Sequence, residues 1–381
     1  MAAAMKDLIL RRARLADGSV IDLAVQNGRI AALGTLPGAM AAENTVDLAG
    51  GVYLSAGWID SHVHCYPASP IYHDEPDRVG IDGGVTTVVD AGSTGADQVG
   101  DFHRLTRTAR TQVLALLNIA RTGIVTQNEL ADMAQIDGAA VKQAIGDYPG
   151  FIIGLKARMS SSVVGENGLR PLIRAKQIQH ENGDLPLMVH IGNDPPDLDG
   201  IADLLTAGDI ITHCYNGKPN RILTLEGALR GAVHKALDRG VRLDVGHGSA
   251  SFSFAVARQA IALGILPHTI SSDIYCRNRL DGPVHSLAAV MSKFLALGMT
   301  LPQVIDCVTL NAAQSLKLTG RGRLAVGETA DLTLFALNDT PQIYADADGA
   351  AMNAPQQLVP LAAVVAGALY PTQEGNAYHV F

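Results

Sequence analysis

The rhythm of apolar and polar positions changes twice along the chain. The first fifty residues run in short stretches broken by turn signals: DLILRRARL, ADGS, VIDLAVQNGRIAALG with its Asn27-Gly28 turn, and TVDLAG. Such stretches bounded by turn residues predict short strands. From about Val52, continuous apolar runs separated by longer amphipathic stretches take over, the pattern of parallel strands buried on both faces and alternating with helices. The runs are VYLSAGWID, GVTTVVDAG, VLALLNIA, FIIGLKAR, LPLMVHIG, DIITHCY, VRLDVGHG and HTISSDIY. Eight strand-then-helix units over roughly 265 residues match the size of a (β/α)8 barrel. After Leu318 the β style returns in GRGRLAVGETADLTLFAL and LVPLAAVVAGALY. The predicted class is α/β: a TIM barrel over residues 55–318 with a small discontinuous β-sandwich domain built from both chain ends, 1–54 and 319–381.

Composition narrows what such a fold could do. The 381 residues are 48% hydrophobic and 17% charged, with 39 glycines, which gives a sizeable core with many turns and excludes disorder. Aromatics reach only 4%, so the core is aliphatic and few rings remain to build an apolar binding slot. Lys plus Arg number 29 against 37 Asp plus Glu, a net charge of -8 without a basic block, which argues against nucleic acid. The N-terminus lacks a secretory pattern, and no apolar run approaches the roughly 18 residues of a membrane span. Cys65, Cys214, Cys276 and Cys307 are scattered without CxxC spacing, which reads as free thiols in a reducing compartment. The expectation is a cytoplasmic protein, complete as written, with neither membrane nor nucleic acid as partner; a homo-oligomer stays open.

The candidate chemistry lies at the ends of the predicted strands. His62 and His64 follow GWIDS at the end of the first barrel strand. Residues i and i+2 of a strand face one side, so both imidazoles can reach one metal ion. Lys156 ends FIIGLK, His190 ends LPLMVH, His213 ends DIITH and Asp273 ends HTISSD. Singly, each has a bland explanation as a strand cap or loop starter. Together they fall at one rim, the face where barrels of this kind carry their active sites. Lys156 is the least ordinary: a lysine among apolar strand residues is costly, and an ammonium beside metal-binding histidines would repel the ion. Reaction of its amine with carbon dioxide would give a carbamate, an anionic ligand able to bridge two metals.

This constellation resembles the amidohydrolase superfamily, specifically its binuclear members with a carboxylated lysine. The resemblance spans nearly the whole chain, including the late GRLAVGETADLTLF segment. KARMSSSVVG, THCYNG, DVGHGSASF and ISSDIY look like the dihydroorotase-related deacetylase branch. It implies that His62, His64 and Asp273 hold the more buried metal and that His190 and His213 hold the more exposed one. Lys156 as N6-carboxylysine would bridge them. Imidazole, carboxylate and carbamate ligation without thiolate suits two divalent ions, Zn2+ first, with manganese or another divalent ion able to substitute. The implied reaction is hydrolysis of N-acetylated amino acids or O-acetylated α-hydroxy acids by a metal-bridging hydroxide, with Asp273 as general base.

Substrate selection is expected from the rim. Arg158 should face the same interior as Lys156, where its guanidinium meets either a substrate carboxylate or a protein carboxylate. Tyr215 and Asn216 follow His213, Tyr275 and Arg277 follow Asp273, and His247 ends DVGHG. All are candidate contacts to a small anionic acylated substrate. Cys65 and Cys214 neighbour ligand positions and should point the opposite way, into packing. A cyclic amidase of dihydroorotase or hydantoinase type is the competing enzyme. A deaminase fits less well, because those relatives generally use one metal and lack the strand-four lysine. A non-catalytic scaffold of the same fold would have lost ligands that are all present here.

Overall fold

Seven of the apolar runs contribute strands to one parallel sheet, and the eighth run closes it into a barrel. The computed structural model describes residues 5–378; positions 1–4 and 379–381 of the two predicted end segments lie outside the described residues. The barrel strands are Trp58–Val63, Val85–Ala91, Gln112–Asn118, Ile152–Met159, Leu187–Ile191, Ile210–Thr212 and Arg242–Leu243, side by side in chain order. The first two are buried at every position, as expected of strands covered on one side by helices and on the other by the barrel interior.

The eighth run, HTISSDIY, is not a regular strand. It bridges Asp244 through Thr269 on one side and Val63 through Ile274 on the other. Backbone bonds from Val245 N to Thr269 O (3.1 Å), His247 N to Ser271 O (3.1 Å) and Asp273 N to His62 O (2.7 Å) complete the circle. Its ladder is interrupted at Asp273, whose φ of +51° is a left-handed conformation that an extended ladder does not use.

The outer helices are amphipathic in the predicted way. Arg170–Glu181 starts with a proline in its first turn and buries Pro171, Leu172, Ala175, Ile178 and Gln179, a 3.6-residue stripe. Leu301–Val308 opens on a capping box in which Thr300 and Gln303 satisfy each other's backbone amides. At the base of the barrel, Ile59, Leu114, Leu116, Met188 and Ile210 pack with Ala312, Ala313 and Leu316 in an apolar cluster. Met188 shares its strand face with His190, two residues on, so this cluster floors the site above it.

The chain ends build one eight-stranded sheet. Tyr53–Ala56 runs antiparallel to Leu332–Asn338, with Leu54 opposite Leu334, and that pairing joins the two halves. The sheet encloses its own core of Leu8, Leu10, Leu23, Val25, Leu54, Leu332, Leu334 and Val364, separate from that of the barrel. The hairpin Gln342–Ala345 with Ala351–Ala354 does not join this sheet. Its Tyr344 and Met352 pack into the barrel core instead. No helix among the described residues is long and apolar enough to cross a membrane.

Candidate metal centre

The barrel brings together all the predicted ligands. Asp273 Oδ1 lies 3.3 Å from His62 Nε2 and 3.1 Å from His64 Nε2. Lys156 Nζ is 3.1 Å from His62 Nε2. On the other side, His213 Nε2 faces His190 Nδ1 at 2.8 Å, and the His62 and His213 ring centroids are 5.2 Å apart. Donor atoms of His62, His213 and Asp273 all lie within 4.8 Å of one another, so the two expected ligand sets adjoin. Both His213 (φ +66°) and Asp273 (φ +51°) adopt left-handed backbone, a cost typical of functional positions.

The donor set fits metal ions. His213 Nδ1 donates to Gly246 O at 2.6 Å, which leaves its Nε2 lone pair facing the centre. His62 Nδ1 is engaged by Thr212 Oγ1 at 2.9 Å and His64 Nδ1 by Ser93 Oγ at 2.8 Å. Anchoring the rear nitrogen in this way is how ligand imidazoles are oriented. Burial, helped by neighbouring cationic groups, pushes His213 down to about 3 and His190 well below the ordinary range, so both are neutral, the metal-binding form. His64 is lowered by burial too. His62 moves the other way: although burial and Lys156 oppose its charge, Asp273 and Asp244 raise it, so this point of the site favours a positive charge. Burial also disfavours charge on Asp273, but His62 and His64 hold its carboxyl well below the usual range.

Three further carboxylates lie fully buried behind the ligands. Asp244 accepts from Thr212, Thr269 and Ser271 hydroxyls at 2.6–2.7 Å. Asp90 accepts from the Cys65 and Ser93 amides at 2.9 and 2.8 Å. Asp60 accepts from Ser272 N (3.0 Å) and Ser272 Oγ, and burial pushes it up to about 7. Against these acids the same interior offers Lys156, which has no carboxylate within 4 Å among the described residues and whose Nζ otherwise touches Met188 Sδ at 3.4 Å. Burial lowers its amine to about 8. An interior so rich in anionic and neutral donors is suited to divalent cations.

Above this centre is a cavity of about 200 Å³, lined by the ligands together with Arg158, Tyr275, Tyr72, Gln127, Lys218 and several serines. Arg158 and Tyr275 are thus where the sequence predicts. The other rim candidates are corrected. Tyr215 is fully buried, turned outward against Phe294 with its hydroxyl donating to Ile265 O at 2.6 Å. Asn216 is buried and braces the turn, bonding His213 O at 3.0 Å and accepting from Lys218 N at 3.0 Å. His247 stacks on Phe252 and contacts Lys293 Nζ at 2.8 Å, away from the cavity. Arg277 is exposed and outside the lining. For Tyr215 and Asn216 the buried placement follows from the end of the sixth strand at Thr212 and the left-handed turn at His213. Arg158 itself is paired: Nε and Nη2 bond both oxygens of buried Glu129 at 2.6 and 2.7 Å. Cys65 and Cys214 are buried in the barrel core, as expected, and all four cysteines are free.

A closed barrel with a His62–His64–Asp273 cluster adjoining a His190–His213 pair at the strand ends defines a metal-dependent hydrolase, and the chain belongs to the amidohydrolase family. The model of that family matches residues 228–367. An Enterococcus faecalis protein described as a deacetylase is 43% identical over 366 residues, which is 96% of this chain and 99% of that protein. A crystal structure described as that of an adenine deaminase superimposes with a TM-score of 0.94 at 42% identity, covering 96% of this chain and all of that one. Another, described as a dihydroorotase, gives 0.86 at 32% identity, over 96% of this chain and 97% of its own.

Proposed function

We propose that this hydrolase removes the acyl group from N-acetylated amino acids or O-acetylated α-hydroxy acids. The carrying observation is one small cavity that combines two sets of metal donors, the ionised carboxylate of Asp273 and a cationic, hydroxyl-rich rim. Its volume suits a small acylated acid. The name of the Enterococcus relative supports the same reaction class.

His62, His64 and Asp273 would hold one ion, His190 and His213 the other, with Lys156 between them. Two bound divalent ions, zinc by donor type, supply a more acidic water and a charge that polarises the acyl carbonyl. Asp273 takes the proton of the attacking water and returns it to the leaving nitrogen or oxygen. Lys156 first gives up its ammonium proton; the free amine then attacks carbon dioxide, forming an N–C bond as one C=O π pair moves onto oxygen and a second proton leaves nitrogen, so that a cationic side chain becomes an anionic one. Among the described residues no carboxylate pairs with it within 4 Å, which supports that reading. The free cysteines agree with a cytoplasmic location.

The test is hydrolysis by metal-loaded protein of acetylated amino and hydroxy acids, both enantiomers, beside dihydroorotate, hydantoins and adenine. Release of acetate, lost on chelation and regained with Zn2+, is the expected result. Turnover of only a cyclic imide or of adenine would replace this reading. A native mass spectrum of the active protein without a carbon dioxide adduct would remove the carbamate.

A further inference from the structure

The cavity contains two basic side chains beyond the ligand set, and they differ in what they have left to offer. Arg158 forms a bidentate pair with Glu129, and its remaining Nη1 points to Gln127 Oε1 at 3.3 Å. That pair is neutral as a unit, so an incoming anion gains little from it and would compete with a buried carboxylate already in place. Lys218 is half-buried on the loop after the sixth strand and lines the same cavity. Its backbone amide is fixed by Asn216 Oδ1 at 3.0 Å. Its ammonium forms no side-chain hydrogen bond and no ion pair within 4 Å among the described residues. The nearby anions are Asp348 and Asp273, neither within pairing distance. A half-buried ammonium without a partner bears a desolvation cost that an anion in the cavity would offset.

Position adds a length scale. A Cβ placed on Gly192 would stand 3.3 Å from His190 Nε2 and 3.8 Å from Lys218 Nζ. Across the bare backbone of Gly192 the ammonium therefore lies within about 7 Å of the His190 ring, on the side away from the Nδ1 that faces His213. An anion held by Lys218 while an acyl carbonyl sits at the metal centre must belong to a molecule in which the two groups are a few bonds apart.

We propose that Lys218, not Arg158, receives the substrate carboxylate, and that this spacing selects acids acylated at the α-position. The proposal rests on the deacylase reading above. It is tested on the metal-loaded enzyme with N-acetyl amino acids and their C-terminal carboxamides, in wild type, Lys218→Met and Lys218→Arg. Lys218→Met should lower kcat/KM for the acids about 10–100-fold, mainly through KM, because one charge-assisted contact is lost. The carboxamides should change less than about twofold, and Lys218→Arg should recover most of the loss. Melting temperatures confirm that the variants are folded. An acid-to-amide ratio unchanged in Lys218→Met overturns the assignment and leaves the deacylase reading standing. If wild type hydrolyses neither series, that reading fails, and calorimetry with N-acetylglycine and N-acetylglycinamide decides the Lys218 assignment alone. Tighter binding of the acid in wild type but not in Lys218→Met supports it, and equal binding overturns it.

Discussion

Asp244 reaches His62 through one hydroxyl: Thr212 Oγ1 donates to Asp244 Oδ2 at 2.7 Å and stands 2.9 Å from His62 Nδ1. Having given its proton to the carboxylate, that hydroxyl can only accept from the imidazole, which turns the lone pair of Nε2 to the centre. Thr212→Val keeps the shape and removes the relay. Metal affinity, read by competition with a chelator, should fall by about 10–100-fold. Wild-type affinity in this variant would show that Asp244 does not orient the ligand.

Asp273 is assigned both ligation and proton transfer, and the second role is separable. In Asp273→Asn with metal content verified, kcat should drop by roughly 10²–10⁴-fold while KM changes by no more than about threefold. Near wild-type turnover with both ions bound would refute the general-base assignment.

Gly248 is required by the position of that same carboxylate. A Cβ here would lie 2.4 Å from Asp273 Oδ2, and the backbone is left-handed at φ +59°. Gly248→Ala should cost about 1–2 kcal/mol in stability from the backbone alone. Displacing Asp273 should also lower kcat by about tenfold or more. Denaturant unfolding and steady-state kinetics measure the two effects, and a stability loss without a kinetic one would mean that Asp273 tolerates the shift.

Lys293 gives the protein a pH signature away from the metal centre. Its fully buried amine contacts His247 Nε2, Pro283 O and Ala345 O, each at 2.8 Å. Burial pushes its pKa down to about 7, with Asp346 opposing. Because the folded value lies below the unfolded one, the unfolded chain binds more protons between them. The stabilising contribution is therefore complete above the unfolded pKa and is lost as pH falls through about 7. Wild type should gain in melting temperature over Lys293→Met as pH rises from about 7 to 9.5; a difference independent of pH would show that the amine keeps its proton throughout.

The ligands were legible because metal chemistry restricts residue type and strand geometry restricts position. His62 and His64 share a face by alternation, and Lys156, His190, His213 and Asp273 fall at the ends of the fourth, fifth, sixth and eighth apolar runs. The cavity wall was not legible, because loops place it. Nothing in the spacing of Glu129 and Arg158 announces their pairing, 29 residues apart with the helix Gly138–Asp147 between them. Tyr215 and Asn216 were named because they follow His213, but the left-handed turn at His213 carries them into the barrel packing rather than the cavity. Lys218 lies in the same YNGK stretch, and only the course of the loop separates it from those two.

The joined chain ends also bear on how the molecule is made. Trp58 N, at the entrance to the barrel, bonds Thr333 Oγ1 at 3.0 Å across 275 residues of chain, beside the pairing of Tyr53–Ala56 with Leu332–Asn338. During synthesis the first β-segment is exposed long before its partner leaves the ribosome, an edge open to wrong pairing. Nascent chains halted before Leu332 should therefore engage chaperones through their N-terminal strands, and release should coincide with emergence of the segment that completes the sheet.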